Sequence, residues 1–337
     1  LKAQKCLVSG MDAQGPAGLV LAHEQSPFTE RLAAQLVFGG ITGRGRLPAA
    51  LGEPYSAGDG IATPGGIRLQ YGFPENAGLN SGRMNRAIDS IVGRGLDAGA
   101  FPGCQVIVAR KGTVVFHKAY GYHTYEQRTG VRKHDLYDLA SVTKISGPLS
   151  GLMLLESMGR FSCRDRLGDY CGAMKGSDKA DLALKDVLAH RAGLFPWIPY
   201  HEKTLKKNGH YKTRYVRTDP GGKFTVQVAD RLYLSTKFKD KIFETIRKSD
   251  LGEQEYRYSG LSFFLFPTII EELSGEDYET FISENIYHRL GAWELLYHPR
   301  NEYPGSQIVP TEYDSLFRKQ LIHGYVHDEG AALMGAH

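Results

Sequence analysis

Residues 138–145 read DLASVTKI, and the tetrapeptide Ser141-Val142-Thr143-Lys144 inside them decides how the rest of the chain is read. On a helix, residues three apart lie on one face about one turn apart, so the Ser141 hydroxyl and the Lys144 amine can share a proton. A serine hydroxyl is a weak nucleophile at neutral pH, and a lysine whose pKa is lowered by burial or by neighbouring cations can activate it. A serine at a helix start also has unpaired backbone N–H groups nearby that can stabilise an oxyanion. Alone the pattern says little, because about one such match is expected by chance in a chain of this length. An ordinary N-cap serine followed by an exposed lysine is the competing reading.

Working outward, the downstream segment LASVTKISGPLSGLMLLESMG (139–159) predicts a helix through Leu149, Leu152, Met153 and Glu156 that stops at Gly159, with Pro148 kinking or weakening it. Upstream, Ser81 opens a helix whose buried stripe is Met84, Ile88, Ile91, Val92 and Leu96. CQVIVARKGTVVFHKAYGY (104–122) holds two β-branched runs separated by Arg110, Lys111 and Gly112, the pattern of an antiparallel hairpin. Residues 259–274 and 276–290 predict two further helices, the second closing at Leu290 before Gly291. Residues 291–337 are turn-rich with few alternating apolar positions, and nothing after Tyr258 reads as a late strand that would supply a second oxyanion donor.

The 337 residues are 42% hydrophobic and 23% charged, ordinary globular composition with a net charge of +4. No apolar run reaches the length of a membrane span. Without a helix-turn-helix, zinc-finger or aromatic RNA-binding signature, a nucleic-acid partner is not expected. Cys6, Cys104, Cys163 and Cys171 lack C-x-x-C spacing, so free thiols are expected, with a Cys163–Cys171 bridge the one alternative. No metal or other cofactor is expected; His323, His327 and Asp328 match no ligand spacing. Residues 201–250 carry thirteen Lys and Arg against six Asp and Glu, +7, leaving the rest of the chain at −3. That stretch reads as a solvated, lysine-rich helical excursion or as a rim that attracts carboxylate-bearing substrates.

Four blocks in order, GCQVIVARKGTVVFHKAYGY (103–122), DLASVTKI (138–145), DLALKDVLAHRAGL (181–194) and YRYSGLSFFLFPTIIEELSGEDYETFISENIYHRLGAWELLYHP (256–299), give the chain a resemblance from about residue 81 onward. It resembles the serine β-lactamase and penicillin-binding-protein family of class C β-lactamases, D-alanyl-D-alanine carboxypeptidases and related esterases. The resemblance implies a β-lactamase/transpeptidase-like α+β fold, an antiparallel sheet flanked by helices with an inserted helical subdomain. It implies an acyl-enzyme mechanism on an amide or ester, with Ser141 as nucleophile, Lys144 as its activating amine and Tyr258 as proton shuttle. The family's second motif has Asn or Asp two residues after the tyrosine; Gly260 departs from it and puts efficient β-lactam cleavage in doubt. His190 belongs to a block the family uses structurally and is expected to be packed or hydrogen-bonded. PTEYDSLFRKQLIHGYVHDEGAALMG (310–335) resembles the approach to a third motif of the His-Ala-Gly kind, so His337 is either its first residue or an accident of position.

The segment GLVLAHEQSPFTERLAAQLVFGGITGRGRLP (18–48), a short strand and an amphipathic helix, resembles the end of the C-terminal domain of family 3 glycoside hydrolases. The expected organisation is residues 1–52 as a remnant of that domain, 53–80 as a Gly/Pro-rich linker, and 81–337 as the serine-hydrolase domain, incomplete at its C-terminus. Leu1 in place of Met fits a piece of a longer polypeptide. The family and the fusion imply peptide or peptidoglycan-derived substrates and a periplasmic or cell-envelope location. The alternatives are the accessory half of a β-N-acetylglucosaminidase-type fusion and a pseudo-enzyme that binds peptidoglycan without turnover.

Overall fold

The structure, a computed structural model, describes residues 4–6, 11–12, 15–16, 20–22, 26–50, 52, 55–66 and 68–334. It divides into two compact units, residues 1–133 and 134–337.

In the first unit the segment resembling a glycosidase tail forms a short strand, Val20–Ala22, followed by α1 (Pro27–Val37). Ser26 caps α1 by accepting from Thr29 N at 3.2 Å. Further on, α2 (Ser81–Asp97) begins where the sequence places it, because Asn80 Oδ1 accepts from Arg83 N at 2.8 Å. Val92 is buried and Met84, Ile88 and Leu96 are half-buried, but Ile91 is 61% exposed. Its expected place in the stripe is corrected: the inward row steps every four residues, and Ile91 falls one position off it. Beyond α2 lies a three-stranded sheet of β1 (Gln70–Tyr71), β2 (Gly103–Arg110) and β3 (Thr113–Gly121) in the order β1-β3-β2. β2 and β3 are the predicted hairpin. Arg110 pairs with Thr113 across a two-residue turn in which Lys111 and Gly112 both take positive φ, 53° and 74°, the combination that matches the strands' own twist. Asp89 of α2 ties the helix to β3, accepting from Lys118 at 3.0 Å and from Tyr120 at 2.5 Å.

The second unit is built on helices. α3 (Ser150–Ser157) comes after a wide, π-helical turn over Ile145–Leu149 that contains Pro148, the local loosening expected where proline removes a backbone donor. The predicted stop is present, with Gly159 at φ 70°. α4 (Phe238–Lys248) buries Phe238, Ile242 and Ile246 at four-residue spacing while its outer face is charged. α5 (Phe266–Ser274) and α6 (Tyr278–Ile282) realise the two late helices; a 3-10 turn, Leu261–Phe264, opens the first, and a π-helical turn and His288–Leu290 extend the second. Leu152 and Leu155 of α3 pack with Ile269, Ile270, Phe281 and Ile282 in one apolar core. A Cβ on Gly151 would come within 2.8 Å of the Ile270 and Ile282 Cδ1 atoms, so α3 approaches this closely only through glycine.

Residues 201–250 are not the helical excursion expected from their lysines. Before α4 they form a three-stranded sheet of β4 (Val216–Arg217), β5 (Phe224–Ala229) and β6 (Leu232–Ser235) in the order β4-β6-β5. The apolar alternation in FTVQVA and LYLS, with Val228, Leu232 and Leu234 buried, outweighs the helical bias of the charges. Two late strands, β7 (Glu312–Asp314) and β8 (Gln320–Ile322), pair with each other. The buried Arg318 in their turn donates to Asp314 Oδ2 at 2.8 Å and to the carbonyls of Val326 at 2.7 Å and His327 at 2.5 Å, fixing the entry to α7 (Glu329–Met334). Cys104, Cys163 and Cys171 are free thiols, so the Cys163–Cys171 bridge is not formed. Among the described residues no helix is long and apolar enough to cross a membrane.

Candidate active site

Ser141 sits in a 3-10 turn, Ala140–Val142, at the surface of the second unit. Ala140 is held at φ 44°, a left-handed conformation that costs a non-glycine residue energy. Asp138 offsets that cost by accepting from Ala140 N at 2.8 Å through Oδ1. Through Oδ2 it accepts from His327 N at 3.1 Å and from the Thr311 hydroxyl at 3.3 Å. One carboxylate thus fastens the serine turn to two late segments.

Lys144 is one turn on and buried. Its Nζ lies 3.2 Å from Ser141 Oγ and 5.9 Å from the centroid of the Phe263 ring. Burial pushes its pKa below the usual lysine range, and the Asp328 carboxylate pulls in the opposite direction. Tyr258, 117 residues away in sequence, donates from its hydroxyl to Ser141 Oγ at 2.9 Å. Lys144 and Tyr258 therefore approach the same oxygen.

The loop carrying Tyr258 is laced to two others. Gly252 N donates to Gly193 O at 2.7 Å, and Arg257 N to His190 O at 2.8 Å. Gly193, at φ 72°, could not carry a Cβ, which would lie 2.4 Å from Gly252 O. Ser259 is buried and donates from Oγ to Phe195 O at 2.6 Å, while Gly260 N donates to Pro196 O at 3.2 Å. His190 packs its ring 4.6 Å from that of Tyr258 and accepts from Ser259 N at 3.3 Å through Nδ1. Burial lowers its pKa, with the Lys144 charge acting in the same direction and the Ser259 backbone hydrogen bond against it. It is packed and hydrogen-bonded, as expected. Gly260 has an ordinary helical backbone, φ −81°, and a Cβ there would find only Lys144 Cε, at 3.8 Å. The space beside the lysine, where the family resemblance leads one to expect an amide or carboxylate, is open.

Nothing in the sequence marks Asp328 as part of this site, and Asp138 is marked only as preceding the motif. Asp138 stands three residues before the serine, the one local signal available; Asp328 joins only through folding, as the cap of α7, accepting from Gly330 N and Ala331 N. His323 instead contacts the carbonyls of Gly305 and Ile308, and His327 contacts Glu312, each at hydrogen-bond distance. Among the described residues no group of three or more His, Cys, Asp or Glu is arranged to hold a metal. His337 lies outside the described residues.

A family model described as Beta-lactamase matches residues 88–319, more than half of the chain. A protein of Escherichia coli (strain K12) named "Putative D-alanyl-D-alanine carboxypeptidase" is 27% identical over 290 residues, covering 78% of this chain and 61% of the relative, so the chain spans only part of that protein's length. Among solved structures, the octameric penicillin-binding protein homologue from Pyrococcus abyssi aligns with a TM-score of 0.53 at 19% identity over 72% of this chain and 52% of its own. A class C beta-lactamase aligns with a TM-score of 0.52 at 15% identity, over 76% and 62%. The fold is β-lactamase/transpeptidase-like, mixing helices and sheets.

Proposed function

The chain belongs to the beta-lactamase family, and from that premise we propose that it is a serine hydrolase working through an acyl-enzyme, with Ser141 as nucleophile. The observation that carries this reading is the convergence of Lys144 Nζ, at 3.2 Å, and the Tyr258 hydroxyl, at 2.9 Å, on Ser141 Oγ. In the neutral form favoured by burial, Lys144 takes the serine proton as Oγ attacks the substrate carbonyl. Tyr258 relays that proton to the leaving amine or alcohol as the tetrahedral intermediate collapses. Water then adds to the acyl-enzyme, and Ser141 Oγ leaves with a proton returned through the same pair.

The substrate proposed is a D-amino-acid peptide amide or a small ester of cell-wall origin, handled in the periplasm or cell envelope. The E. coli relative's name supports the peptide, and the open space at Gly260 argues against rapid turnover of β-lactams. A pseudo-enzyme that binds peptidoglycan is the second reading, favoured by that same missing side chain. The organisation proposed for the chain is residues 1–52 as the tail of a family 3 glycoside hydrolase-like domain, 53–80 as a linker and 81–337 as the hydrolase domain. The support is the sequence resemblance of residues 18–48.

The test is intact-mass analysis after treatment with a fluorophosphonate or a penicillin. A single adduct that disappears in Ser141→Ala is expected, together with a loss of about two to four decades in p-nitrophenyl ester turnover for Lys144→Ala with unchanged melting. Labelling that persists without Ser141, or no labelling of the intact protein, ends the hydrolase assignment.

A further inference from the structure

Residues 203–223 of the second unit hold seven Lys and Arg against a single carboxylate, Asp219. The fold brings most of these charges into two local groups. Leu205 bridges Tyr211, and Lys206 N donates to His210 O at 2.8 Å, which puts Lys206 and Lys207 at the tip of a small hairpin. Lys212 Nζ reaches back to Lys203 O at 2.9 Å. Arg217 donates from Nε to Thr213 O at 3.4 Å and lies 4.3 Å from the centroid of the Phe224 ring, which Lys223 also approaches at 5.5 Å. Arg214 lies on Tyr215 at 4.6 Å. The hairpin thus brings Lys203, Lys206, Lys207 and Lys212 together, and the Phe224 ring brings Arg217 and Lys223 together, with several of these side chains held by carbonyls and aromatic rings.

These side chains are not paired with carboxylates: among the described residues, none of the seven takes part in an ion pair. The contrast is with α4 close by in sequence, where Glu244 pairs with Lys241 at 2.7 Å and with Lys248 at 2.5 Å. Gathering like charges without counter-charge costs energy, which an opposed anionic surface returns.

We propose that this face docks on an anionic phospholipid bilayer. The proposal does not depend on the hydrolase reading. Three features select a bilayer over other anions. The cations come from separate segments, 203–207, 212–217 and 223, and form two groups, around the 205–211 hairpin and around Phe224, instead of one run. They line neither of two cavities found among the described residues of this unit, which other residues form. No large hydrophobic side chain within 203–223 is exposed, so the contact is peripheral and electrostatic, with nothing to insert. A Lys or Arg near an anionic leaflet strengthens partitioning by roughly fivefold, an effect confined to about a Debye length.

The experiment uses the whole 337-residue chain and sedimentation with vesicles of phosphatidylcholine alone or with about one-third phosphatidylglycerol. Binding is expected to the acidic vesicles only, with release on raising salt from about 0.1 M to about 0.5 M. The combined variant Lys203→Gln, Lys206→Gln, Lys207→Gln should lower partitioning by about two decades. A control with the same charge change, Arg164→Gln, Lys175→Gln, Lys185→Gln, should stay within a few-fold of the parent. Melting curves of both variants report that the fold is kept. Equal binding to neutral vesicles, or equal loss in the two variants, overturns the proposal. So does capture by soluble poly(glycerol phosphate) with no binding to vesicles, which would make the face a polymer site.

Discussion

Lys144 sits between two opposed demands. Burial disfavours its ammonium and lowers its proton affinity, which a general base requires, while the Asp328 carboxylate favours the ammonium. Asp328→Asn removes that second influence and keeps an oxygen that can cap α7. The charged form is then less favoured, the pKa of Lys144 falls further, and neutral amine is present at lower pH. The expected result is that the ascending limb of kcat/KM against pH moves to lower pH, with the plateau retained. A limb that stays put or moves up shows that Asp328 does not act on Lys144. The serine and lysine of this arrangement are legible in the sequence because three residues of spacing carry them. Tyr258 is legible through the family's second motif. Asp328 is not, because its part in the site depends on Arg318 holding the carbonyls of Val326 and His327, a contact no local pattern encodes.

At the scale of elements, the spacing between Ser141 and Lys144 depends on the turn immediately downstream. The π-helical turn over Ile145–Leu149 lets the chain pass Pro148 and enter α3, and its middle residue, Gly147, faces two tyrosines. A Cβ there would lie 2.5 Å from the Tyr278 hydroxyl and 2.6 Å from that of Tyr297, groups that bond each other at 2.8 Å. Gly147→Ala is therefore expected to destabilise the protein by about 1–3 kcal/mol, the range for overpacking a filled interior. Because Gly147 lies three residues beyond Lys144, turnover of a p-nitrophenyl ester should fall as well. Denaturant midpoints and initial rates measure both, and a variant as stable and active as the parent would falsify this account of the turn. Helices with strong four-residue apolar rows, such as α2 and α4, can be read from sequence. The sheet of β4, β5 and β6 is hidden there because the lysines around it mask the alternation in FTVQVA and LYLS.

Across the molecule, the net charge of +4 conceals a division between basic residues in 201–250 and a carboxylate-rich region around Arg318. Composition shows the first; the second forms only on folding, where Asp314, Asp328 and Glu329 come together from β7 and the start of α7. Glu329 is buried, and burial first, then the Asp328 charge, pushes its pKa up from the ordinary 4.5 to about 7. Asp314 acts in the same direction and Arg318 against it, and His201 Nδ1 stands 3.7 Å from its Oε1. The consequence for stability has a definite sign. Below the unfolded carboxyl's 4.5, folded and unfolded chains both hold the proton. Between 4.5 and about 7 the folded chain alone keeps it, so each step up in pH removes stability. Above that window the loss is complete, on the order of 3 kcal/mol for a group this deeply buried. Glu329→Gln keeps the shape and the hydrogen-bonding capacity while deleting the titration. It should leave stability almost unchanged below the ordinary carboxyl value of 4.5, raise it above the window by that amount, and flatten the slope between. Urea midpoints of parent and variant across this range decide the matter, and parallel pH profiles for the two would mean that Glu329 is ionised in the folded protein at neutral pH.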